Sequence, residues 1–416
     1  MKTTRILQLF LLVVASAFFS CSSSDDGNGG QASSITISVD NNAINLGQSL
    51  TFTVTDDNNS DVTSQSTIYF SGTVISGSTY TPTEAGTYVV NAKLGDITSN
   101  NISVTISSLL ISANKSSAFP GELITLTATG NQGNNLTSES TFYVNGTEIS
   151  GNSYTTENRG VDIITATYET LESNQKSILV GYPSKVLIED FTGTWCGWCP
   201  RVSYGIELVE EATDEVVVAA IHRYNSSIDP FNYPASSLEN FVDLGGYPTA
   251  MLNRTTEWST PEPNYVNQVL GLTQDVAPAA LALTSEMSGN SLNVNVAVDL
   301  LDNTLTEAKL IVYVLEDGLI YEQTNYTDYY GGADYITDFV HDNVLRQVPT
   351  GLFGEELAST DLDAETNLYN KSYSFELDSN IADSSNIHLA VFVTDADGKV
   401  LNAVGAEIGE SIVIED

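Results

Sequence analysis

The sequence predicts a multidomain chain built mostly of β-sheet: two small β-sandwiches, then an α/β domain, then a C-terminal β-sandwich. Three observations carry that prediction. A set of short alternating strands occurs twice at a fixed offset. A strand–helix–strand–helix–strand succession starts near residue 183. Alternating strands then return from about residue 275 to the end. At 416 residues the chain is too long for one ordinary domain, so a division into several units is expected.

The amino-terminal segment is a leader. Lys2 and Arg5 supply positive charge, and Ile6 to Phe19 is an apolar stretch too short for a stable membrane helix. Phe18-Phe19-Ser20-Cys21 resembles a bacterial lipobox, which implies a signal peptide over 1–20 and a lipid on Cys21. The alternative is an ordinary cleaved signal peptide that a cysteine happens to follow. Residues 21–32, rich in Ser, Asp and Gly, cannot build a core and read as a flexible tether. The Ser24-Asp25-Asp26 run resembles the export signal by which lipoproteins of Bacteroidota reach the outer face of the outer membrane. The chain is thus expected on the outer membrane, at the cell surface or otherwise on the periplasmic face. A net charge of -39, from 53 acidic and 14 basic residues, excludes nucleic acid as a partner and disfavours anionic membrane surfaces.

The repeat defines the next two units. Leu46-Gly47-Gln48-Ser49-Leu50-Thr51 answers to Pro120-Gly121-Glu122-Leu123-Ile124-Thr125, Thr67-Ile68-Tyr69 to Thr141-Phe142-Tyr143, and Ile75-Ser76-Gly77 to Ile149-Ser150-Gly151, always 74 residues apart. Two copies of one domain follow, over 33–106 and 107–180. Strands such as Ser49 to Val54 alternate apolar and polar residues between Asn, Gly, Asp and Ser turns, the pattern of a sandwich with one wet and one dry face. Both copies resemble bacterial immunoglobulin-like (Ig-like) modules. Neither holds a cysteine, so packing alone must join their sheets. Such modules serve as spacers, with binding of glycans or proteins left open.

From 183 to 274 the pattern changes. Lys185 to Phe191 is a mostly apolar strand, as in a sheet covered on both sides. Pro200 suits the first turn of a helix running to Thr213, because its missing N–H has no intrahelical partner there. Glu215 to Ile221 is a second buried strand, Ser236 to Leu244 a second helix, and Gly245-Gly246-Tyr247-Pro248-Thr249-Ala250-Met251-Leu252 leads into a third strand. Over 275–416, Leu292 to Val298 alternates, whereas Lys309 to Leu315 and His388 to Val393 are continuously apolar. An aromatic-rich excursion, Tyr321 to Thr350, reads as a long loop or short helix inserted in the C-terminal sandwich. Its tyrosines, among them Tyr326, suit loop packing or stacking on sugars.

Two of the three cysteines stand in Trp195-Cys196-Gly197-Trp198-Cys199-Pro200. At a helix start, free N–H groups and the dipole favour a thiolate. Cys196, expected to be the more exposed, is the candidate nucleophile; Cys199, one turn further in, is placed to resolve a mixed disulfide. Asp190 is the candidate proton donor and acceptor, with Glu189 on the opposite face as the competing choice. Burial is expected to raise the Asp190 pKa. Asp190 to Cys199 resembles the active-site segment of thioredoxin, and Tyr247-Pro248-Thr249 resembles its cis-proline segment. The resemblance spans residues 183–262. It implies catalytic roles for Cys196, Cys199, Asp190 and Pro248, and client contact at Trp195, Trp198, Tyr247 and Thr249. Thioredoxin carries Gly-Pro between its cysteines, whereas this chain carries Gly197-Trp198, which leaves the direction of electron flow open.

The Cys-x-x-Cys-Pro opening, the Gly-Tyr-Pro-Thr turn, His341 to Arg346 and Val400-Leu401-Asn402-Ala403 together resemble the Omp28-related outer membrane lipoproteins of Bacteroidota. That resemblance implies location and architecture. Two functions stand after this reading: thiol–disulfide exchange with a client or redox partner protein, needing no cofactor and no metal, or a surface adhesion or assembly role in which the disulfide is structural.

Overall fold

The computed structural model describes residues 32–131, 133–223, 229–302, 305 and 307–414. The leader and Cys21 lie outside the described residues. Among the described residues no helix is long and apolar enough to cross a membrane. The architecture is mostly β-sheet, with several sandwich-like sheet pairs and a small helix-bearing region resembling a thioredoxin-type subdomain.

The first compact unit runs to Ser107. A three-stranded sheet (Ile35–Val39, Leu50–Asp56, Thr79–Tyr80) faces a six-stranded one whose longest strand is Gly86–Leu94. Ile37, Leu50, Phe52 and Val54 from one sheet meet Ile68, Val90, Val104 and Ile106 from the other, so every second strand residue enters a dry core. The second copy repeats this inside the other compact unit: Leu109–Ala113, Leu123–Gly130 and Ser153–Thr155 face a six-stranded sheet.

The duplication extends to single hydrogen bonds. Asn100 Oδ1 accepts from Ile37 N at 2.9 Å, and Asn174 Oδ1 from Ile111 N at 2.8 Å. Thr63 Oγ1 accepts from Val54 N at 2.8 Å, and Thr137 Oγ1 from Ala128 N at 3.0 Å. These side chains satisfy buried main-chain donors where the ladders stop, which explains why they are retained in both copies.

The remainder is organised by one nine-stranded sheet. Its strands and flanking helices are labelled here in chain order: β1 (Val186–Thr192), α1 (Pro200–Glu210), β2 (Val216–His222), α2 (Ser236–Phe241), β3 (Thr249–Leu252), α3 (Val266–Leu272), β4 (Ala279–Ser288), β5 (Ser291–Leu300), β6 (Lys309–Glu316), β7 (Leu319–Thr324), β8 (Tyr335–His341), β9 (Val344–Gln347), β10 (Tyr369–Glu376), β11 (Ile387–Thr394) and β12 (Val400–Glu407). The main path runs β3–β1–β2–β9–β6–β11–β12, with Thr256–Glu257 beyond β3 and Glu355–Glu356 paired to β6. β1 and β2 are parallel from Val186↔Val216 to Thr192↔His222, and β3 is antiparallel to β1.

Both faces are covered, as the apolar strands require. Val186 and Ile188 pack with Val202, Ile206 and Val209 of α1 and Val269 of α3. Leu187 and Phe191 point the other way, with Leu238 of α2. Farther along, Leu310, Val312 and Val314 of β6 with Leu389, Val391 and Val393 of β11 pack against β4 and β5 of a separate four-stranded sheet. Strands beyond residue 275 therefore hydrogen-bond into the same sheet as β1. The link is β9, through Ala220↔Val344 and Leu315↔Leu345.

The excursion differs from the expected loop or helix. It is a β-hairpin, β7 paired with β8, followed by β9. With four residues and an arginine among them, β9 has too little local pattern to read as a central strand.

Candidate functional site

The site begins on β1. Strand alternation sends Glu189 and Asp190 to opposite faces, and the two faces treat them differently. Glu189 is fully buried and bonds Arg254: Nη2 donates to Oε1 at 2.9 Å and Nε to Oε2 at 3.1 Å. Tyr313 Oη donates to the same Oε1 at 2.8 Å. Glu189 is thus a paired charge inside the sheet.

Asp190, on the α1 side, is 2 % exposed, and its Oδ1 has no hydrogen-bond partner. Burial pushes its carboxyl well above the ordinary value; the charge of Glu262 adds to this and that of Arg201 opposes it. Arg201 and Glu262 are themselves paired, Nη2 donating to Oε1 at 3.1 Å. A buried carboxyl whose pKa is raised in this way is suited to give or take a proton.

Asp190 borders a cavity of about 90 Å³, shared with Thr192, His222, Gln323 and His341. His222 is 1 % exposed, and its Nδ1 lies 2.9 Å from Asp229 Oδ2. The same oxygen accepts from Thr194 N at 2.8 Å. Burial pushes the Asp229 carboxyl up, but His222 and the N–H groups of Thr194 and Phe231 outweigh it and hold it below the usual range. The ring of His341 lies 5.4 Å from that of His222. Burial, followed by the neighbouring His222 and against Asp229, pushes His341 down to about 3.

Gly193 lets the chain turn from β1 into the cysteine loop: a Cβ there would lie 2.7 Å from Trp195 Nε1. Cys196 N donates to Gly193 O at 2.9 Å and Cys199 N to Cys196 O at 3.1 Å, and Pro200 opens α1. Cys196 and Cys199 form a disulfide with an S–S distance of 2.04 Å and Cα atoms 5.4 Å apart.

Cys196 is the more exposed of the two, as expected, but both are buried, at 4 % and 1 %. The cover comes from the end of β7 and the chain after it. Gln323 Nε2 donates to Cys196 O at 2.9 Å, Thr324 N to Thr194 O at 2.9 Å and Tyr326 N to Gly197 O at 2.7 Å. Tyr326 also meets Trp198 edge-on at 6.1 Å.

The Tyr247–Pro248 peptide bond is cis. Tyr247 packs on Trp195 with ring centroids 5.6 Å apart, and its hydroxyl donates to Glu239 Oε1 at 2.6 Å. Arg223 lies over both rings. Thr249 is buried and donates to Gly246 O at 3.0 Å. Trp195 is half-buried, whereas Trp198 is 51 % exposed. The structure thus joins Asp190 with the cysteine loop through β1, and Trp195 with Tyr247, while Trp198 pairs with a residue outside the expected set.

Two participants, Asp229 and Gln323, were missed from sequence, and Tyr326 was singled out there without its place against the cysteine loop. Asp229 precedes Pro230 and Phe231 in a loop without a motif. The other two come from more than 120 residues away; the one local trace is Gly197, whose missing side chain leaves room for the Tyr326 ring. Asp395 accepts from Lys399 N at 2.9 Å in an ordinary hairpin turn.

Residues 235–412 match the family model described as outer membrane protein Omp28. The chain carries an Omp28-like domain. The match takes in Pro248, both strands of the β7–β8 hairpin and the C-terminal strands, and begins after the two cysteines. No curated protein matches the chain. Among solved structures, HBP35 of Porphyromonas gingivalis is 19% identical with a TM-score of 0.43, over 57% of this chain and 81% of that one. A C-terminal 282-residue fragment of intimin, in complex with the intimin-binding domain of its translocated receptor, is 17% identical with a TM-score of 0.25, over 43% and 78%. The Yersinia pseudotuberculosis adhesin InvE is 12% identical with a TM-score of 0.16, over 36% and 59%.

Proposed function

We propose that Cys196 and Cys199 exchange disulfides with a client protein outside the cytoplasm, on a chain held at the outer membrane by a lipid on Cys21. The observation that carries this reading is Asp190: buried, with Oδ1 unpartnered and its carboxyl pushed upward by burial, on the strand that delivers the cysteines and beside a cavity. A purely structural disulfide gives no reason to retain such a group, which costs stability wherever it lies.

From the disulfide form, a client thiolate attacks Cys196 Sγ. The new bond joins client sulfur to Cys196, the Cys196–Cys199 bond breaks, and Cys199 leaves as a thiolate that takes the Asp190 proton. A second client thiolate then attacks the client sulfur of the mixed disulfide and expels Cys196. The client is oxidised by two electrons and the pair reduced. From the dithiol the same steps run backward and reduce a client disulfide, and relative potentials set the direction. Trp195, Tyr247, Pro248 and Thr249 would border the client, and Trp198 would offer it an exposed ring.

The second reading, a stapled adhesion or assembly protein, is favoured by the burial of Cys196 at 4 %. Equilibration of the purified protein with glutathione or dithiothreitol buffers separates the two. Exchange predicts a potential within the range of thiol oxidoreductases, and mixed disulfides trapped by Cys199→Ser but not by Cys196→Ser. A bond that resists these buffers, with nothing trapped, leaves the structural staple.

A further inference from the structure

The segment over the cysteine loop is held as an extended ligand would be. Thr324 N and Tyr326 N, two residues apart, donate to the carbonyl oxygens of Thr194 and Gly197, which flank Cys196. Gln323, 3 % exposed, donates to Cys196 O from its side chain. The Tyr326 ring lies against the bare Cα of Gly197: a Cβ added there would stand 2.3 Å from Tyr326 Cδ2. Main-chain donors with side chains seated in turn are how an extended peptide is read by an exposed edge.

Around these contacts the segment is fastened by its own flanks. Asn325 Nδ2 donates to Tyr329 O at 3.2 Å and Ala333 O at 3.1 Å. Tyr329 stacks on Tyr204 of α1 at 4.5 Å, and Tyr330 Oη donates to Glu207 Oε1 at 2.7 Å. All of these fastenings are non-covalent and lie outside the cysteine loop.

We propose that residues 323–326 are a built-in stand-in for the client. The edge they fill, formed by the carbonyls of Thr194 and Gly197 and the naked face of Gly197, is where a client segment docks. That segment is extended, presents two main-chain N–H groups spaced two residues apart, and places an aromatic side chain on Gly197. Client binding and displacement of the stand-in are then one event, and the buried Cys196 reacts only with a partner able to compete for this edge. The inference rests on the exchange reading and adds to it the class of client and the means of selection.

The test uses the full chain with Tyr326→Ala and, separately, Gly197→Ala, whose backbone lies outside the left-handed region, so that the added Cβ acts by displacing the Tyr326 ring. Reduction of the disulfide by dithiothreitol, followed by tryptophan fluorescence, is expected to accelerate by about tenfold in each, from loss of the aromatic contact and its neighbouring hydrogen bonds. A synthetic peptide of residues 321–330 is expected to bind Tyr326→Ala protein. The same peptide N-methylated at the positions of Thr324 and Tyr326, or carrying Ala for Tyr326, is expected not to bind. Unchanged reduction rates in both variants, or equal binding of the N-methylated peptide, overturn the proposal. The exchange reading fails separately. If Cys199→Ser traps clients while the variants gain nothing, exchange stands and the stand-in falls. If the variants open and bind peptide yet Cys199→Ser in the Tyr326→Ala background traps nothing, the docking edge stands and exchange falls.

Discussion

Replacing Asp190 by Asn should stabilise the protein by an amount that grows as the pH rises. An unfolded aspartate titrates near 3.9, whereas burial holds the folded Asp190 carboxyl well above that. Between these two values the unfolded chain has lost this proton while the folded chain still holds it. The folded state binds more protons, so its stability falls with rising pH by about 1.4 kcal/mol per unit until the folded group itself ionises. From pH 5 upward the unsubstituted protein should lose stability steadily relative to Asp190→Asn until the folded carboxyl ionises. Every other titrating group is common to both proteins and cancels in the difference. The assay is urea unfolding under non-reducing conditions, read by tryptophan fluorescence at pH 5, 6 and 7. All three tryptophans, Trp195, Trp198 and Trp258, lie in the helix-bearing region, so the signal reports this region and not the sandwich repeats. A stability difference that stays flat over this range, or that moves in favour of the unsubstituted protein as pH rises, refutes the assignment of Asp190 as a buried neutral acid.

The opposite slope is expected at His341, whose folded value of about 3 lies below the free value near 6.5. The unfolded state binds more protons there, so stability is lost as pH falls from about 6.5; at pH 4 His341→Gln should have gained roughly 3 kcal/mol on the unsubstituted protein relative to neutral pH, by the same urea assay. Glu189→Gln leaves Arg254 a buried, uncompensated cation and should cost about 3–5 kcal/mol, whereas replacing Glu189 and Arg254 together by apolar residues should cost clearly less. Asn100→Ala and Asn174→Ala each strand a main-chain donor, Ile37 N or Ile111 N. Each should cost about 1–3 kcal/mol in its own repeat, measured as faster amide exchange confined to the strands that border that residue.

What the sequence revealed depended on how local the cause was. The repeat was legible because its turns, its alternation and its side-chain bonds to main-chain donors recur within one short domain, where Asn100 and Asn174 do the same task. The opposite facing of Glu189 and Asp190 followed from strand periodicity alone, although nothing local announced that Arg254 and Tyr313 would take the glutamate. The cysteine loop was legible from its strand, its proline and the helix after it. Its burial was not, because the cover arrives from Gln323 and Tyr326, whose contacts with it close a loop of more than 120 residues. The same limit hid β9. Four residues carry no usable period, and Val344 and Leu345 are defined as strand only by neighbours from β2 and β6.

The entry of the chain into the large sheet has a mechanical consequence. Val186 to Thr192 lies between β2 and β3 with strands hydrogen-bonded along both sides, and Cys196 follows four residues after its end. Tension between the amino-terminal side of the chain and anything covalently joined to Cys196 therefore runs down β1 alone. The strand is already extended and held at seven registered pairs with β2, so a pull along it does not open those pairs one after another. Everything after Cys196, including the whole Omp28-like domain, lies off the covalent line of force. A client pulled away while still bonded to Cys196 would strain one clamped strand and leave the remaining architecture unloaded.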